Sequence, residues 1–178
     1  MNKGWKVKDT YLVVNHNVYK KPKGVQYSII TFCPRGTVVV VALTKKEELI
    51  FIKQHRPAIN KKIINLPGGR IDKGEDAEKA ARRELEEEAG FIGEDFKEIG
   101  KAFSNPTRIT DKCTIFFVRD VKKLKKKKKP NTDLAECNKK IVFLKPDKTL
   151  KLIKQGELKC MTSIAAILLA KERGFINF

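Results

Sequence analysis

Three glutamates, Glu84, Glu87 and Glu88, stand at i, i+3 and i+4 in a segment, Glu75–Ala89, that is rich in Ala, Glu, Lys and Arg and contains no glycine or proline before Gly90. On a helix this spacing puts the carboxylates within an arc of roughly 100° on one face. Alone, they repel. A hard divalent cation turns the repulsion into coordination, because Mg²⁺ takes oxygen ligands, keeps several waters and is usually shared with substrate phosphates. Arg83 lies one turn before Glu87 and can hold it by a charge-assisted pair. Gly68-Gly69, just upstream, lets main-chain carbonyls approach a metal with no Cβ in the way. A glutamate-rich helix is more often a solvated face, so the surrounding spacing has to decide between the two readings.

From Gly69 the chain reads five residues to Glu75, seven more to Arg83, and then Arg83-Glu84-Leu85-Glu86-Glu87-Glu88-Ala89-Gly90-Phe91. This resembles the Nudix box, G-x5-E-x7-R-E-U-x-E-E-x-G-U with U apolar, and every defined position is filled. With seven fixed residues at about 7% each, a chance match in a chain of this length is on the order of one in a million.

The resemblance to the Nudix hydrolases implies an α/β/α sandwich, a mixed α/β (or α+β) fold, and a set of roles. Glu84, Glu87 and Glu88 would ligate Mg²⁺, or Mn²⁺ in its place, with the Gly68 carbonyl as a further ligand. Arg83 would orient Glu87, and Glu75 would pair with Arg83 to brace the loop–helix–loop in which Gly69 and Gly90 are structural. The implied reaction is hydrolysis of a nucleoside diphosphate linked to another group, giving a nucleoside monophosphate and the phosphorylated remainder. In this family a carboxylate base often comes from a loop after the box. Asp133 and Glu136 are placed for that, and Glu136 is preferred.

Two further likenesses point to the ADP-ribose pyrophosphatase branch. Pro106 falls 16 positions after Gly90, like the proline that marks that branch, and Gln54-His55-Arg56-Pro57 resembles its Gln-Tyr-Arg-Pro, which gives Arg56 a contact to the diphosphate. The N-terminal segment also looks like the extension through which those enzymes dimerise and complete an adenosine pocket, where Trp5 or Tyr27 could stack on a base. One departure concerns the sugar end. Where the branch usually has Ser-Pro-Gly and acids, this chain has Ser104-Asn105-Pro106-Thr107-Arg108-Ile109-Thr110, so Arg108 could contact an extra phosphate. The substrate implied is ADP-ribose or another nucleoside diphosphate sugar; RNA 5′ ends or dinucleoside polyphosphates are the alternative.

The elements needed to position these residues can be read from apolar runs and turn signals. Trp5–Val14 and Val25–Phe32, around Lys20-Lys21-Pro22-Lys23-Gly24, suggest an N-terminal hairpin. Thr37–Leu43 and Leu49–His55 form a second pair, and Ile63–Leu66 is a short strand running into Pro67-Gly68-Gly69. A helix over Glu75–Ala89 stops at Gly90. Strands follow at Ile99–Phe103, Cys113–Val118 and Ile141–Leu144, then one helix from near Asp147 to Gly156 and another over Thr162–Arg173. The expectation is one domain over 1–178, with residues 1–35 as a β extension and 36–178 as the catalytic core.

Composition narrows the class. Lys and Arg number 39 against 21 Asp and Glu, a formal charge of +18, yet residues 72–98 carry 11 acidic and 5 basic side chains, or −6, which leaves +24 elsewhere. One acidic island sits in a basic chain. Lys122–Lys129, seven lysines in eight residues before Pro130, reads as a solvated loop, as an RNA-binding patch or as an aid in drawing in polyphosphates. No apolar run approaches the roughly 20 residues of a membrane span, and the first residues lack a secretory signal. Cys33, Cys113, Cys137 and Cys160 form no metal-binding or disulfide pattern. The expectation is a soluble cytoplasmic protein with no membrane partner, a homodimer acting on a small nucleoside diphosphate derivative, with RNA permitted but not favoured.

Overall fold

The computed structural model describes residues 6–8, 13–20, 26–31, 35–56, 59–106, 110–124 and 139–178. The first three strands, β1 (Lys6–Lys8), β2 (Val13–Lys20) and β3 (Gln26–Thr31), form an antiparallel sheet in the order β1-β2-β3. The register sets Asn15 opposite Thr31 and Tyr19 opposite Tyr27. A hairpin is present, but its first arm is Val13–Lys20 rather than Trp5–Val14. The run Asn15-His16-Asn17 hides this arm from a reading based on apolar content; ladder hydrogen bonds come from the backbone and do not require it.

The larger sheet is built on β4 (Thr37–Thr44) and β5 (Leu49–Arg56), joined by a tight turn. Thr44 closes that turn: its Oγ1 accepts the Lys46 and Glu48 N–H groups at 3.2 Å each. There follow β6 (Lys61–Asn65), β7 (Gly68–Arg70), α1 (Ala77–Glu84) with a π-turn over Leu85–Ala89, β8 (Phe91–Ile92), β9 (Lys97–Phe103), β10 (Lys112–Lys123), β11 (Lys140–Leu144), α2 (Pro146–Lys154) and α3 (Met161–Glu172). The strand path is β11-β5-β4-β10-β8, with β6 on β5, β7 on β4 and β9 on β10. β4 and β10 run parallel, Val39 opposite Ile115. The other pairings are antiparallel.

The unbroken apolar run of β4 marks a strand covered on both faces. Val39, Val41 and Leu43 pack with Leu49, Phe51, Ile115 and Phe117 against Ala166, Ile167 and Ala170 of α3. Val38, Val40 and Ala42 pack on the opposite face with Ala80, Ala81 and Leu85 of the α1 segment and with Phe96 and Phe116. Helices on both sides of the sheet give the expected α/β/α sandwich. No helix among the described residues is long and apolar enough to cross a membrane. Cys113 is buried in the core and, like Cys160, is unpaired.

Several boundaries differ from those expected. β7 and β8 are too short to give a period of their own and exist because β4 and β10 offer them edges. α1 starts at Ala77, not Glu75, because Asp76 caps it: its Oδ1 accepts the Lys79 N–H at 2.8 Å. Its last turn is π rather than α and ends at Gly90, whose φ of 74° is the left-handed cap.

Phe51 is fully buried among β-strand and α3 side chains. Phe51→Ala should lower stability by about 3–5 kcal/mol in urea denaturation, and a loss below about 1 kcal/mol would contradict this packing.

Candidate active site

β7 carries Gly68 and Gly69 between β4 and the end of α1, and neither position has room for a side chain. A Cβ on Gly68 would lie 2.3 Å from the Val38 carbonyl oxygen; one on Gly69 would lie 2.2 Å from Glu84 Oε1. The Glu84 carboxylate therefore rests directly on the main chain of β7. Glu88 reaches the same strand, where its Oε2 accepts the Gly68 N–H at 2.9 Å. The π-turn contributes to this arrangement: its wider turn brings residues four apart nearer to one line than an α-turn does and sets the residue three apart to one side. Glu84 and Glu88 are 12% and 10% exposed, whereas Glu87 is 46% exposed.

Arg83 organises the group. Its Nε and Nη2 bind the two oxygens of Glu75 at 3.0 Å each, Nη2 also donates to the Arg70 carbonyl at 2.8 Å, and Nη1 reaches Glu84 Oε1 at 2.8 Å and Glu87 Oε2 at 3.3 Å. This fork holds the Glu75 carboxyl below the usual carboxylate range, and the bond from Glu75 in turn pushes the guanidinium upward. Glu84 moves the other way. Burial first, and then the nearby Glu88 charge, push its carboxyl up to about 7 against the pull of Arg83.

A further cation enters from another part of the chain: Lys139 Nζ donates to Glu88 Oε1 at 2.9 Å. Alternation along β11 explains why. Val142 and Leu144 face the α3 side, while Ile141 packs with the α1-side cluster and Phe143 meets Phe91 edge-on at 5.8 Å. Lys139 is two residues before Ile141 and so shares the face of the box helix. Sequence reasoning missed it, because one lysine among many carries no motif; the period-two pattern of Lys139, Ile141 and Phe143 was the available signal.

The structure thus brings together Gly68, Gly69, Glu75, Arg83, Glu84 and Glu88, with Glu87 at the rim and Gly90 closing the segment. The Gly90 carbonyl accepts the Leu124 N–H at 2.9 Å, tying the box to the end of β10. Arg56 is exposed at the end of β5, opposite Lys61 in the β5–β6 hairpin, and His55 Nε2 lies 3.0 Å from Asn60 Oδ1. Gln54, from the same segment, is buried and donates to Asn65 Oδ1 at 3.2 Å, a packing role. Pro106 is exposed in the turn after β9. Trp5, Arg108, Asp133 and Glu136, and most of the lysine tract, lie outside the described residues, as do the side chains of Tyr27 and His16.

As the carboxylates stand, no three acidic, histidine or cysteine side chains among the described residues converge on one point; Glu87 leans to Arg83 and Glu88 to Lys139. The donor set nevertheless fits a hard divalent cation. Three carboxylates offset by one guanidinium shared with Glu75 and one ammonium leave an excess of negative charge, and the Glu84 carboxyl, pushed up first by burial and then by Glu88, is a group whose charged form a bound cation would favour.

The NUDIX domain profile matches residues 34–160, and the chain belongs to the Nudix family. It is 31% identical over 98 residues to an ADP-ribose pyrophosphatase of Bacillus subtilis, covering 55% of this chain and 53% of that protein. It is 32% identical over 136 residues to an ADP-ribose pyrophosphatase of Saccharomyces cerevisiae, covering 72% and 59%. The matches thus span somewhat more than half the length of these curated relatives. Among solved structures, one described as an ADP compounds hydrolase superposes over 98% of this chain and 97% of its own with a TM-score of 0.75 at 19% identity, a likeness of fold.

The raised Glu84 carboxyl has a consequence for stability. Its value of about 7 in the folded protein exceeds the ordinary 4.5, so the folded state binds this proton more tightly. Its stabilising contribution is then complete below pH 4.5 and is lost as pH rises through 7. With EDTA present, the thermal midpoint of the wild type should fall relative to that of Glu84→Gln over this window. Parallel curves for the two proteins would mean that Glu84 titrates at its ordinary value.

Proposed function

We propose that the protein is a divalent-metal-dependent hydrolase of nucleoside diphosphate derivatives, with ADP-ribose or a related nucleoside diphosphate sugar as substrate and a nucleoside monophosphate and a sugar phosphate as products. The observation that carries this is the pair of largely buried carboxylates set against Gly68-Gly69, Glu84 held by Arg83 and Glu88 by the Gly68 N–H. The two ADP-ribose pyrophosphatase relatives support the substrate class.

In this reading Glu84, Glu87, Glu88 and the Gly68 carbonyl hold Mg²⁺, or Mn²⁺ in its place. The bound ion would neutralise diphosphate charge and lower the pKa of an attacking water. The chain's own residues do the rest. Arg83 keeps Glu84 and Glu87 oriented, and Glu75 keeps Arg83 in place. Arg56 and Arg108 bind phosphate oxygens as bidentate donors, and Pro106 shapes the sugar end of the site. Trp5 stacks on the base, and Glu136 accepts the proton of the attacking water. The protein works in the cytoplasm as a homodimer joined through its N-terminal strands, and the basic surface outside the box draws in the anionic substrate.

With Mg²⁺ and a panel of ADP-ribose, other nucleoside diphosphate sugars, dinucleoside polyphosphates and triphosphate-ended RNA, the fastest turnover is expected on ADP-ribose or another ADP-sugar. Glu87→Gln and Glu88→Gln should each lower kcat by roughly 100-fold or more. Turnover within about threefold of wild type for both variants would refute the metal assignment. Faster cleavage of RNA ends than of ADP-sugars would overturn the substrate class.

A further inference from the structure

Both oxygens of Glu88 are engaged. Oε2 accepts the Gly68 N–H at 2.9 Å, which fixes the carboxylate against β7, and Oε1 accepts from Lys139 Nζ at 2.9 Å. The lysine and glutamate side chains are about nine-tenths buried, so their attraction is only weakly screened by water or salt. An ammonium on Oε1 takes one of the two lone-pair sites through which that oxygen could bind a metal. It also brings a positive charge close to any ion coordinated there, and two cations at that distance in a poorly screened site repel strongly. The main chain at Lys139 is anchored, because Ile141, two residues on, packs in the α1-side core and Lys140 pairs with Lys53 of β5. The ammonium itself ends a four-carbon stem with four rotatable bonds, so it can leave Oε1 by rotamer change without the strand moving.

We propose that Lys139 is an exchangeable internal cation of the box: it occupies Glu88 Oε1 when no metal is bound and is displaced when a divalent ion loads, so that it sets the metal affinity of the site. This rests on the reading of Glu88 as a metal ligand given above. Its logic is reciprocal, as any competition between two cations for one anion must be. Removing the ammonium favours the metal, and adding the metal releases the ammonium. Lys139 thereby adjusts the metal site without ligating the ion.

Mn²⁺ binding to the full chain, followed by calorimetry and by loss of the free-ion paramagnetic resonance signal, tests the first half. Lys139→Met should bind Mn²⁺ roughly tenfold more tightly than wild type, and Lys139→Arg, which keeps the charge, should stay near wild type. The second half is tested on the unaltered protein, which guards against a variant that folds poorly. Saturating Mn²⁺ should raise the rate at which acetic anhydride acylates Lys139, read by peptide mass spectrometry, by about threefold or more. A Lys139→Met affinity within about twofold of wild type, or acylation unchanged or slowed by Mn²⁺, overturns the proposal. Glu84→Gln combined with Glu88→Gln separates the two ways of failing. If that variant loses Mn²⁺ while Lys139→Met binds as wild type does, the exchange idea alone is wrong. If it binds Mn²⁺ as well as wild type, the metal assignment fails and the exchange idea with it.

Discussion

Arg83 joins a loop, a strand and a helix through one planar group. Both oxygens of Glu75, the Arg70 carbonyl, Glu84 and Glu87 all accept from it. A guanidinium carries five donors in a fixed fork, so its partners must approach from set directions near one plane; an ammonium imposes no such rule. Glu75 precedes α1, Arg70 ends β7, and Glu84 and Glu87 lie at and beyond the end of α1. Fixing four residues to one plane therefore fixes the entry and exit of the helix relative to β7. The glycines follow from the same constraint, since the Glu84 carboxylate that Arg83 holds fills the space where a Gly69 side chain would be.

Such a constellation is a poor way to gain stability. Half-buried charges lose hydration, and their mutual attraction often fails to exceed that loss. Glu86, Glu87 and Glu88 also crowd the C-terminal turn, where the helix dipole disfavours negative charge. Compensation is local and incomplete: Arg83 is shared among three glutamates, Lys139 serves Glu88, and Glu84 relieves the remainder by holding its proton up to about pH 7. A fold that keeps this arrangement keeps a site poised to bind positive charge. It accounts for the acidic island better than solubility or helix propensity does.

Legibility in the sequence followed how local the determining physics was. The box was readable residue by residue because each requirement, three carboxylates on one helix face, an arginine one turn before, glycines at both ends, is met within 23 positions. The central strands were readable because a short, valine-rich apolar run such as Val38–Leu43, followed by a turn signal, reads as a strand covered on both faces. What escaped depended on partners far away in the chain. β7 and β8 exist as pairings with β4 and β10. The π-turn over Leu85–Ala89 looks like ordinary helix in any propensity scale, and the first arm of the N-terminal hairpin is obscured by the Asn-His-Asn stretch. Lys139 was lost among lysines for the same reason: its value lies in pointing at Glu88, 51 residues earlier.

Lys139 also changes how the +18 charge is understood. Split along the chain, that charge is −6 over 72–98 and +24 elsewhere, which suggests a negative site inside a positive shell. The fold shows that the partition is not so clean, since one basic residue of the +24 fraction is delivered through the sheet into the acidic island. Alternation along β11 sends Lys139 and Ile141 to the box face while Lys140, between them, carries its charge away from it. A one-residue shift in the register of β11 on β5 would exchange the two faces and, in one direction, set Asn138 where Lys139 stands and leave Glu88 without its ammonium. The electrostatics of the box are therefore set partly by strand pairing outside it, and the charge that matters to the site is decided by register as well as by composition.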